Sequence, residues 1–461
     1  MKQIGNLISP TFSKVIVICI TCFLYFYYRE FLPKLSSKYY SKFSTENSSS
    51  FISNIRQYPW AELLYAYQNK KNDTSEFSKL SSILLSQLTP FLITEPNVNT
   101  NTSCGPPPFQ FPSTLPPCVK LNKPRNIAVL LQHGFDADTL EIHFHELDEL
   151  VDKFFIIEST LTTYLGASKP LIWESLKKQH RFEKFVPKVV HFVLDDAELL
   201  KAKVDVAKVE KGEAQGNIYN IEIIQEQMRW LKFLRWNQVT KLFGSEDLLG
   251  FGDVDEIPNR NVIYYLKHCK LFVDPVDIGI WFPYGRIDQA FRTDFPVGRH
   301  PFTHGDPTYW TFKTALKYSK KTNHSQPPTR QRGKSRGFAI GGMHMTYYGY
   351  LPFRMTKLLT TAEVTKVNVQ DIFVDRIRIL VKELRLNETL SKSEEIETFK
   401  NVERELAKTP MVVMNRIVKL ETLKTKAPWE YNMLVKLPWF YDCNRERYPL
   451  WEGKHDTRLD H

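Results

Sequence analysis

Three carboxylates lie close together after a short apolar run. The run at 248–251 predicts a buried strand, and Asp253, Asp255 and Glu256 follow it in a turn that Pro258 closes. Ionised carboxylates are costly to bury without partners, so the cluster is predicted to face solvent or a hard cation such as Mn²⁺ or Mg²⁺. A metal there would bind a diphosphate and stabilise the charge of a departing nucleotide. An acidic turn that only precedes a helix is the alternative.

Two further polar residues have neighbours that suit a ligand site. His344 lies in Gly-Gly-Met-His-Met, where two glycines let the backbone approach a ligand and the imidazole can join Asp255 and Asp253 on a metal. A histidine hydrogen-bonded within the core is the alternative. Glu158 ends the apolar run Phe-Phe-Ile-Ile and is predicted either to bind a hydroxyl of a ligand or to cap the end of the strand.

A third group of residues has the composition of a metal site, but its members are close together only along the sequence. His143, His145 and Glu146 are neighbours along a predicted helix. Positions two apart on a helix do not share a face, so the two imidazoles cannot both point at one ion. A structural or capping role is therefore predicted for this group.

Apolar runs alternate with helical stretches from residue 126 onward. Apolar residues recur at helical spacing over 140–151 and 221–243. This alternation predicts an α/β fold with a mostly parallel sheet and crossover helices. Ligands bind beyond the carboxyl ends of the strands in such sheets, which is where Glu158 and the acidic cluster are expected. The short runs that predict strands are 127–131, 153–157, 189–194, 248–251 and 278–282.

The first 125 residues differ in composition from the rest. Residues 15–28 carry no charge and predict a signal anchor that spans a membrane, after a cytoplasmic tail at 1–14. A cleaved signal peptide is the alternative, but the segment ends in Tyr-Phe-Tyr-Tyr rather than in small residues. Residues 29–125 predict a stem and linker, in which 35–120 lack the apolar area for a packed core and are expected to be dispensable for activity together with the anchor. The main folded domain is predicted at 126–461.

The predicted body carries features of the secretory pathway. Four cysteines lie outside the anchor, an even number that can pair in an oxidising lumen. Cys104 and Cys118 bracket a Pro-rich loop and are the preferred pair, with four unpaired thiols as the alternative. Five Asn-x-Ser/Thr triplets, which are candidate glycosylation sites, follow the anchor at Asn47, Asn72, Asn101, Asn323 and Asn387.

The composition limits the class of protein. The chain has 461 residues, 42% of them hydrophobic and 13% aromatic, which is typical of a globular protein with a sizeable core. A formal charge of +11 is not accompanied by any nucleic-acid recognition motif, so no nucleic-acid partner is predicted. One dense basic run predicts either a solvated loop or a flap over a nucleotide diphosphate; it contains Arg330, Arg332, Lys334 and Arg336.

Several blocks of sequence occur in a specific order and spacing. They are Gly134-Phe135, Leu-Glu-Ile-His-Phe-His-Glu-Leu at 140–147, Phe-Ile-Ile-Glu-Ser at 155–159, Thr163, Gly166, Lys-Pro-Leu at 169–171 and Gly-Asp-Val-Asp-Glu-Ile-Pro at 252–258. This series, over roughly 126–359, resembles glycosyltransferase family 17. Ordered blocks of this kind are more specific than any single motif.

The resemblance implies a fold and an activity. The fold would be a GT-A-like nucleotide-sugar-binding domain at 126–461, with UDP-GlcNAc as donor, Mn²⁺ or Mg²⁺ as cofactor and inversion at the anomeric carbon. The activity would be transfer of GlcNAc in β-1,4 linkage to the β-mannose of the N-glycan core of glycoproteins. The implied location is the Golgi membrane, as a single-pass type II protein with a lumenal catalytic domain. The alternatives are a lumenal glycosyltransferase with another donor or acceptor, and a catalytically silent glycan-binding Golgi protein.

The resemblance also implies site residues. Asp255 would be the principal metal ligand, and Asp253 would hold the ribose or the water shell of the metal. Met343 and Met345 flank the histidine, where the family has Trp and Cys. The family's functional positions fall on Glu158, Asp253, Asp255, Glu256, Pro258, Gly342 and His344.

An inverting transfer needs a further carboxylate. This base must lie on the acceptor side, within hydrogen-bond reach of the attacking hydroxyl, while the metal stays with the diphosphate. By sequence order the candidates are Asp288, Asp294 and Glu363. Arg286 or Arg336 is expected to help stabilise the departing UDP.

Overall fold

Strands and helices alternate from residue 127 onward in this computed structural model. It describes residues 51–69, 75–101, 103–163, 166–195, 220–293, 296–297, 300–321, 327–331, 337–345, 351–360, 367–408, 411–456 and 458. The predicted tail and membrane segment therefore lie outside the described residues. Among the helices that the structure does describe, none is both long and apolar enough to cross a membrane.

A nine-stranded sheet forms the centre of the fold. Its strands are β1 (Ile127–Gln132), β2 (Lys153–Ser159), β3 (Val189–Leu194), β4 (Leu248–Asp253), β5 (Glu256–Pro258), β6 (Val276–Trp281), β8 (Pro296–Val297), β9 (His300–Thr311) and β10 (Phe338–His344). The order is β3-β2-β1-β4-β9-β6-β10-β5, with β8 beside β9. Two short strands, β7 (Gln289–Phe291) and β11 (Ile417–Lys419), pair separately.

The sheet is mostly parallel, as the sequence predicts. Strands β3, β2, β1 and β4 run parallel to one another, and β10 runs parallel to β6. Strand β9 runs antiparallel between β4 and β6, and β5 antiparallel to β10. All five apolar runs chosen from the sequence form strands of this sheet, namely β1, β2, β3, β4 and β6.

Helices cover both faces of the sheet. Before β1 lie α1 (Phe51–Gln57), α2 (Trp60–Asn69) and α3 (Ser75–Leu92); between β1 and β10 lie α4 (Ala137–Leu147), α5 (Trp173–Leu176), α6 (His180–Glu183), α7 (Asn220–Thr240), α8 (Arg260–His268) and α9 (Phe312–Lys321). After β10 follow α10 (Leu351–Thr360), α11 (Val367–Glu383), α12 (Lys392–Ala407), α13 (Leu420–Lys426), α14 (Pro428–Leu434) and α15 (Trp439–Cys443).

Strand β1 shows how the two faces are built. Successive side chains of a strand point to opposite faces of the sheet. Val129 and Leu131 accordingly pack in the cluster that includes α4, whereas Ala128 and Leu130 pack in the cluster that includes α7. The continuous apolar run therefore reflects a strand that is buried on both sides.

The N-terminal helices differ from the predicted stem. Phe51, Trp60 and Leu84 are buried in the same core as the sheet. Helix α1 packs on α12, α2 on α11 and α3 on α10, and the ring centroids of Tyr67 and Phe373 are 4.1 Å apart. Sequence reasoning missed this because the apolar residues are diluted by Ser, Lys and Asn, and their partners lie some 300 residues away.

The predicted Cys104–Cys118 bridge is wrong. Cys104 pairs with Cys443, and Cys118 pairs with Cys269. The second pairing follows from local backbone contacts, because the amide of Leu121 donates to the carbonyl of His268 and the amide of Lys270 to that of Val119. These contacts hold the segment around Cys118 against the end of α8.

Candidate active site

The acidic cluster lies at the carboxyl end of β4, in the centre of the sheet. Asp253 ends β4 opposite Gln132, the last residue of β1. Glu256 then begins β5, which pairs antiparallel with β10. The short turn between β4 and β5 therefore holds Asp255 in the middle of the site, and the predicted position beyond the carboxyl ends of the strands is confirmed.

Asp255 is buried beside two nitrogen-bearing side chains. Lys357 Nζ donates to Asp255 Oδ2 at 3.1 Å, and His344 Nε2 lies 3.6 Å from the same oxygen. Burial on its own would raise the pKa of the Asp255 carboxyl, but the charges of Lys357 and His344 hold that pKa well below its usual range. The site thus contains a carboxylate that stays ionised although only 7% of its side chain is exposed.

A close approach of β10 to β5 brings His344 to Asp255. His344 lies opposite Glu256 in the antiparallel register, and its ring stacks on Phe282 with centroids 4.8 Å apart. Gly342 has φ +134°, and an added Cβ there would lie 2.4 Å from the carbonyl oxygen of Ile257. Only glycine fits at this position without a shift of the backbone.

Asp253 and Glu256 have a different partner. Arg330 Nη1 donates to the carboxylates of both residues at 2.7 Å. Its Nη2 lies 3.0 Å from Glu222 and 3.3 Å from Glu226, both on α7. Burial would lower the pKa of this guanidinium, but the surrounding carboxylates raise that pKa well above its usual value. The residue that the sequence placed in a solvated loop or flap is therefore a buried cation that joins the acidic cluster to α7.

The predicted metal ligands are only partly brought together. Asp255 and His344 converge, whereas Asp253 faces Arg330. No set of three or more His, Cys, Asp or Glu side chains in the described part of the chain is arranged to hold a metal ion. One carboxylate and one imidazole still fit a divalent cation such as Mn²⁺ whose remaining ligands would be diphosphate oxygens and water. The donor set thus suits a metal that binds together with its substrate.

Glu158 is buried inside the protein. It accepts hydrogen bonds from the amides of Ile172 and Trp173 at 2.9 and 3.1 Å. His191 Nε2 lies 2.9 Å and His133 Nδ1 3.5 Å from its oxygens. Burial would raise the pKa of this carboxyl, but the two adjacent histidines hold that pKa far below its usual range. Glu158 positions its neighbours in place of the predicted contact with a donor hydroxyl.

A pocket opens beside Glu158 at the carboxyl ends of β1 and β2. His133 is 98% buried, and its Nε2 has no hydrogen-bond partner among the described residues. Lys169 Nζ lies 4.6 Å above the ring of Phe135, and Thr163 Oγ1 donates to the carbonyl of Thr360 on α10. The polar lining also includes Gln132, Ser159, Thr162 and Gln225.

Sequence reasoning missed this pocket although a signal was present. Gln132 and His133 directly follow a buried run, as the acidic cluster does. Lys357 could not be found in the same way, because it lies in the middle of a helix and its partner Asp255 is 102 residues away in the sequence.

The histidines of α4 have the structural role that the sequence predicts. His143 Nδ1 lies 2.9 Å from the carbonyl oxygen of Val254, so it holds the acidic turn, and burial lowers the pKa of this imidazole to about 4. The ring of His145 stacks on Phe440 at 3.6 Å. Glu146 accepts from the amides of Arg260 and Trp439.

The structure describes only some of the remaining candidate residues for the base, the basic run and the glycosylation sites. Asp288 is exposed and forms hydrogen bonds with Arg286 at 3.0 and 3.1 Å. Asn101 and Asn387 are exposed, as glycosylation requires. The candidates that lie outside the described residues are Asp294, Glu363, Arg332, Lys334, Arg336, Asn47, Asn72 and Asn323.

Comparison with known proteins gives one family and a small set of relatives. Residues 119–280 match the model of glycosyltransferase family 17. Over 178 residues the chain is 28% identical to the β-1,4-mannosyl-glycoprotein 4-β-N-acetylglucosaminyltransferase of Homo sapiens and to that of Rattus norvegicus, and 27% identical to that of Mus musculus. The alignments cover 38% of this chain and 30% of each relative. The region that matches the family model contains β1, β2 and β4.

Proposed function

From the premise that residues 119–280 are a glycosyltransferase family 17 region, we propose that this protein transfers GlcNAc from UDP-GlcNAc to a glycan. The acceptor is the β-mannose of the N-glycan core, and the new linkage is β-1,4 with inversion at the anomeric carbon. The names of the relatives support this acceptor and linkage. The observation that carries the proposal is the polar pocket at the ends of β1 and β2, which α10 connects to the Asp255–His344 pair through Thr360 and Lys357.

The donor lies across the carboxyl ends of the sheet, as in GT-A-like folds. Its uracil and ribose fit the pocket, where the unpartnered Nε2 of buried His133 and the side chains of Gln132 and Thr162 supply hydrogen-bonding groups. The unpaired Nε2 of His133 favours a ligand that forms a hydrogen bond with it, since an unpaired buried group costs free energy. The diphosphate then points from the pocket to Asp255.

The carboxylates of the acidic turn have different roles in this proposal. Asp255 and His344 would hold the divalent cation, Mn²⁺ or Mg²⁺, which would supply positive charge to the diphosphate as UDP departs. Asp253, fixed by Arg330, lies nearer the ribose. Glu256 accepts from the amide of Asp253 at 2.9 Å and so holds the turn in shape. The role proposed for each of the three carboxylates thus follows from the residues that it contacts.

Inversion requires a base on the acceptor side. The attacking mannose hydroxyl must lose a proton to a carboxylate as it bonds to the anomeric carbon. Asp288 is an exposed carboxylate in the segment between β6 and β7, and α10 contacts this segment through Arg354, which donates to the carbonyl of Gly285. Asp294 and Glu363 are the other candidates for this role.

The cellular location forms part of the proposal. We infer a single-pass type II protein of the Golgi membrane, anchored by residues 15–28, with its catalytic domain in the lumen. Two disulfides, Cys104–Cys443 and Cys118–Cys269, are expected of an oxidising compartment. Two exposed glycosylation triplets agree with the same side of the membrane.

A product assay tests the proposal. The fragment 51–461, secreted from a eukaryotic host, is incubated with UDP-GlcNAc, Mn²⁺ and a panel of N-glycans, and products are sequenced by mass spectrometry with linkage analysis. One HexNAc added at O4 of the core β-mannose is the expected result. Transfer from another nucleotide sugar, or to another position, would assign a different glycosyltransferase. Glycan binding without transfer from any donor would contradict enzymatic activity.

A further inference from the structure

Helix α10 connects the two halves of the proposed donor site. Thr360, at its end, accepts from Thr163 Oγ1 at 2.9 Å and lines the pocket. Lys357 lies three residues earlier, on the same side of the helix, and contacts Asp255. One face of α10 therefore borders the whole path from the pocket to the acidic turn, a path that a diphosphate must follow.

Lys357 occupies the oxygen that a metal ion needs. Its ammonium and the imidazole of His344 both approach Asp255 Oδ2, at 3.1 and 3.6 Å. A divalent cation binds a carboxylate oxygen at about 2.0 to 2.2 Å. Two cations on one oxygen repel each other strongly in a buried site. The ammonium of Lys357 therefore competes with a metal ion for this oxygen of Asp255 and weakens the binding of the metal there.

The lysine can leave Asp255 without moving the helix. Its neighbours Thr356 and Leu359 are 0% and 2% exposed, and α10 packs on α3, so the backbone is held firmly. The Lys357 side chain itself is 28% exposed. Its four-carbon stem carries a compact charge that can turn to a second anion within reach.

We propose that Lys357 holds the place of the metal ion on Asp255 in the free enzyme and moves to the leaving diphosphate when metal and nucleotide bind together. This inference rests on the proposed function, since it requires a nucleoside diphosphate in the site. The ammonium exchanges one anionic partner for another and keeps its protons. Two consequences follow: metal binds weakly in the absence of nucleotide, and Lys357 adds positive charge where UDP departs.

Two binding measurements test this role independently of turnover. Isothermal titration calorimetry gives the affinity for Mn²⁺ alone, and then the affinity for UDP at saturating Mn²⁺. Lys357→Met keeps the helix propensity and most of the length of the side chain but removes its charge. Compared with the wild type, we expect Lys357→Met to bind Mn²⁺ alone about tenfold more tightly and to bind UDP at saturating Mn²⁺ about tenfold more weakly. The two affinities should therefore change in opposite directions.

Two other variants serve as controls. Lys357→Arg keeps the charge, so its UDP affinity is expected to stay within about threefold of the wild type. Lys382→Met removes an exposed lysine from α11 and should change neither affinity. Melting temperatures of all variants show that the proteins are folded, and Lys357→Gln replaces Lys357→Met if the latter unfolds.

The outcomes separate this inference from the proposed function. A wild-type protein that binds UDP with Mn²⁺, together with a Lys357→Met variant unchanged in both titrations, would overturn the inference alone. A Lys357→Met variant that loses affinity for both ligands would also contradict it, because the place-holding role requires metal affinity to rise. A wild-type protein that binds no UDP with Mn²⁺ would contradict the inference and the proposed function together.

Discussion

The guanidinium of Arg330 lies 2.7 Å from the carboxylate of Asp253, at the turn that also carries Asp255. The two aspartates are two positions apart in the sequence yet have separate cationic partners, because Lys357 contacts only Asp255 of the pair. The two aspartates of this Asp-x-Asp motif therefore lie in two different electrostatic environments. One aspartate contacts a buried guanidinium, and the other contacts the partly exposed ammonium of Lys357.

Loss of Arg330 is expected to destabilise the protein. Arg330→Met leaves four carboxylates without their shared cation, and breaking such a pair costs about 3 kcal/mol, even though Glu222, Glu226 and Asp253 retain some solvent. Urea denaturation monitored by fluorescence measures the change. Arg286→Met is the matched control, since its pair with Asp288 is exposed and should contribute below about 1 kcal/mol. Equal stability of the two variants would contradict the buried role of Arg330.

Asp255→Asn tests the acid that faces the exchangeable cation. The amide keeps the shape but removes the charge that the proposed metal ion requires. Turnover at saturating donor should fall by at least about 10³-fold, which corresponds to several kcal/mol of transition-state stabilisation. Transfer rate and melting temperature are measured together, and Glu421→Gln on exposed α13 is the control. Near-normal turnover in Asp255→Asn would remove the metal assignment.

Truncation separates the N-terminal helices from what precedes them. A fragment that begins at Phe51 should be soluble and melt cooperatively, since residues 51–461 form one compact unit. A fragment that begins at Pro124 removes α1, α2 and α3, and so exposes the buried faces of α10, α11 and α12. We expect it to aggregate or to melt without a sharp transition. A well-folded, active fragment from Pro124 would restore the original interpretation of this segment as a stem.

Peptide mapping without reduction checks the disulfides. We expect linked peptides that join Cys104 to Cys443 and Cys118 to Cys269. Replacing Cys443 with Ser should cost about 2 to 5 kcal/mol, because that bridge closes a loop of 339 residues in the unfolded chain. Cys19→Ser lies within the predicted anchor and serves as the unaffected control in full-length protein. A Cys104–Cys118 peptide would refute the connectivity.

His143 gives a pH-dependent contribution to stability. Its pKa is lowered from 6.5 to about 4 by burial, so the unfolded chain binds a proton between these values and the folded protein does not. Stability from this residue is complete above pH 6.5 and is lost as the pH falls towards 4, by about 3 kcal/mol in all. His143→Gln lacks this dependence. As the pH falls from 6.5 towards 4, the free energy of unfolding of the wild type should decrease more than that of His143→Gln. Parallel pH profiles of the two proteins would contradict this role of His143.

Sequence patterns predicted the elements whose signals are local. The run at 248–251 could be recognised because a strand buried on both faces is apolar throughout, and the acidic turn because three carboxylates follow it directly. Lys357 and His133 were missed since their roles depend on partners far away in the sequence. Arg330 stood out as part of a basic run, but its four carboxylate partners come from α7 and the turn after β4, which only the folded chain brings together.

The cysteine pairing also depends on contacts between segments that are far apart in the sequence. Cys104 and Cys118 are close in the sequence, and proximity was the only local criterion for pairing them. The actual partners are separated by 339 and 151 residues and are selected by the pairing of the segment at 118–121 with the end of α8, and by the hydrogen bond from the amide of Asn101 to Asn444. Helices α1 to α3 were mistaken for the same reason, since their burial depends on α10, α11 and α12.

Gly342 offers a means of tracing this site through divergent sequences. Its φ of +134° and the 2.4 Å approach of a hypothetical Cβ to Ile257 make any other residue incompatible with the spacing of β5 and β10. A protein that keeps the acids but has a larger residue here must hold its histidine elsewhere. Searches for distant relatives with the same architecture should therefore require the glycine two positions before the histidine, and not the acidic triplet alone.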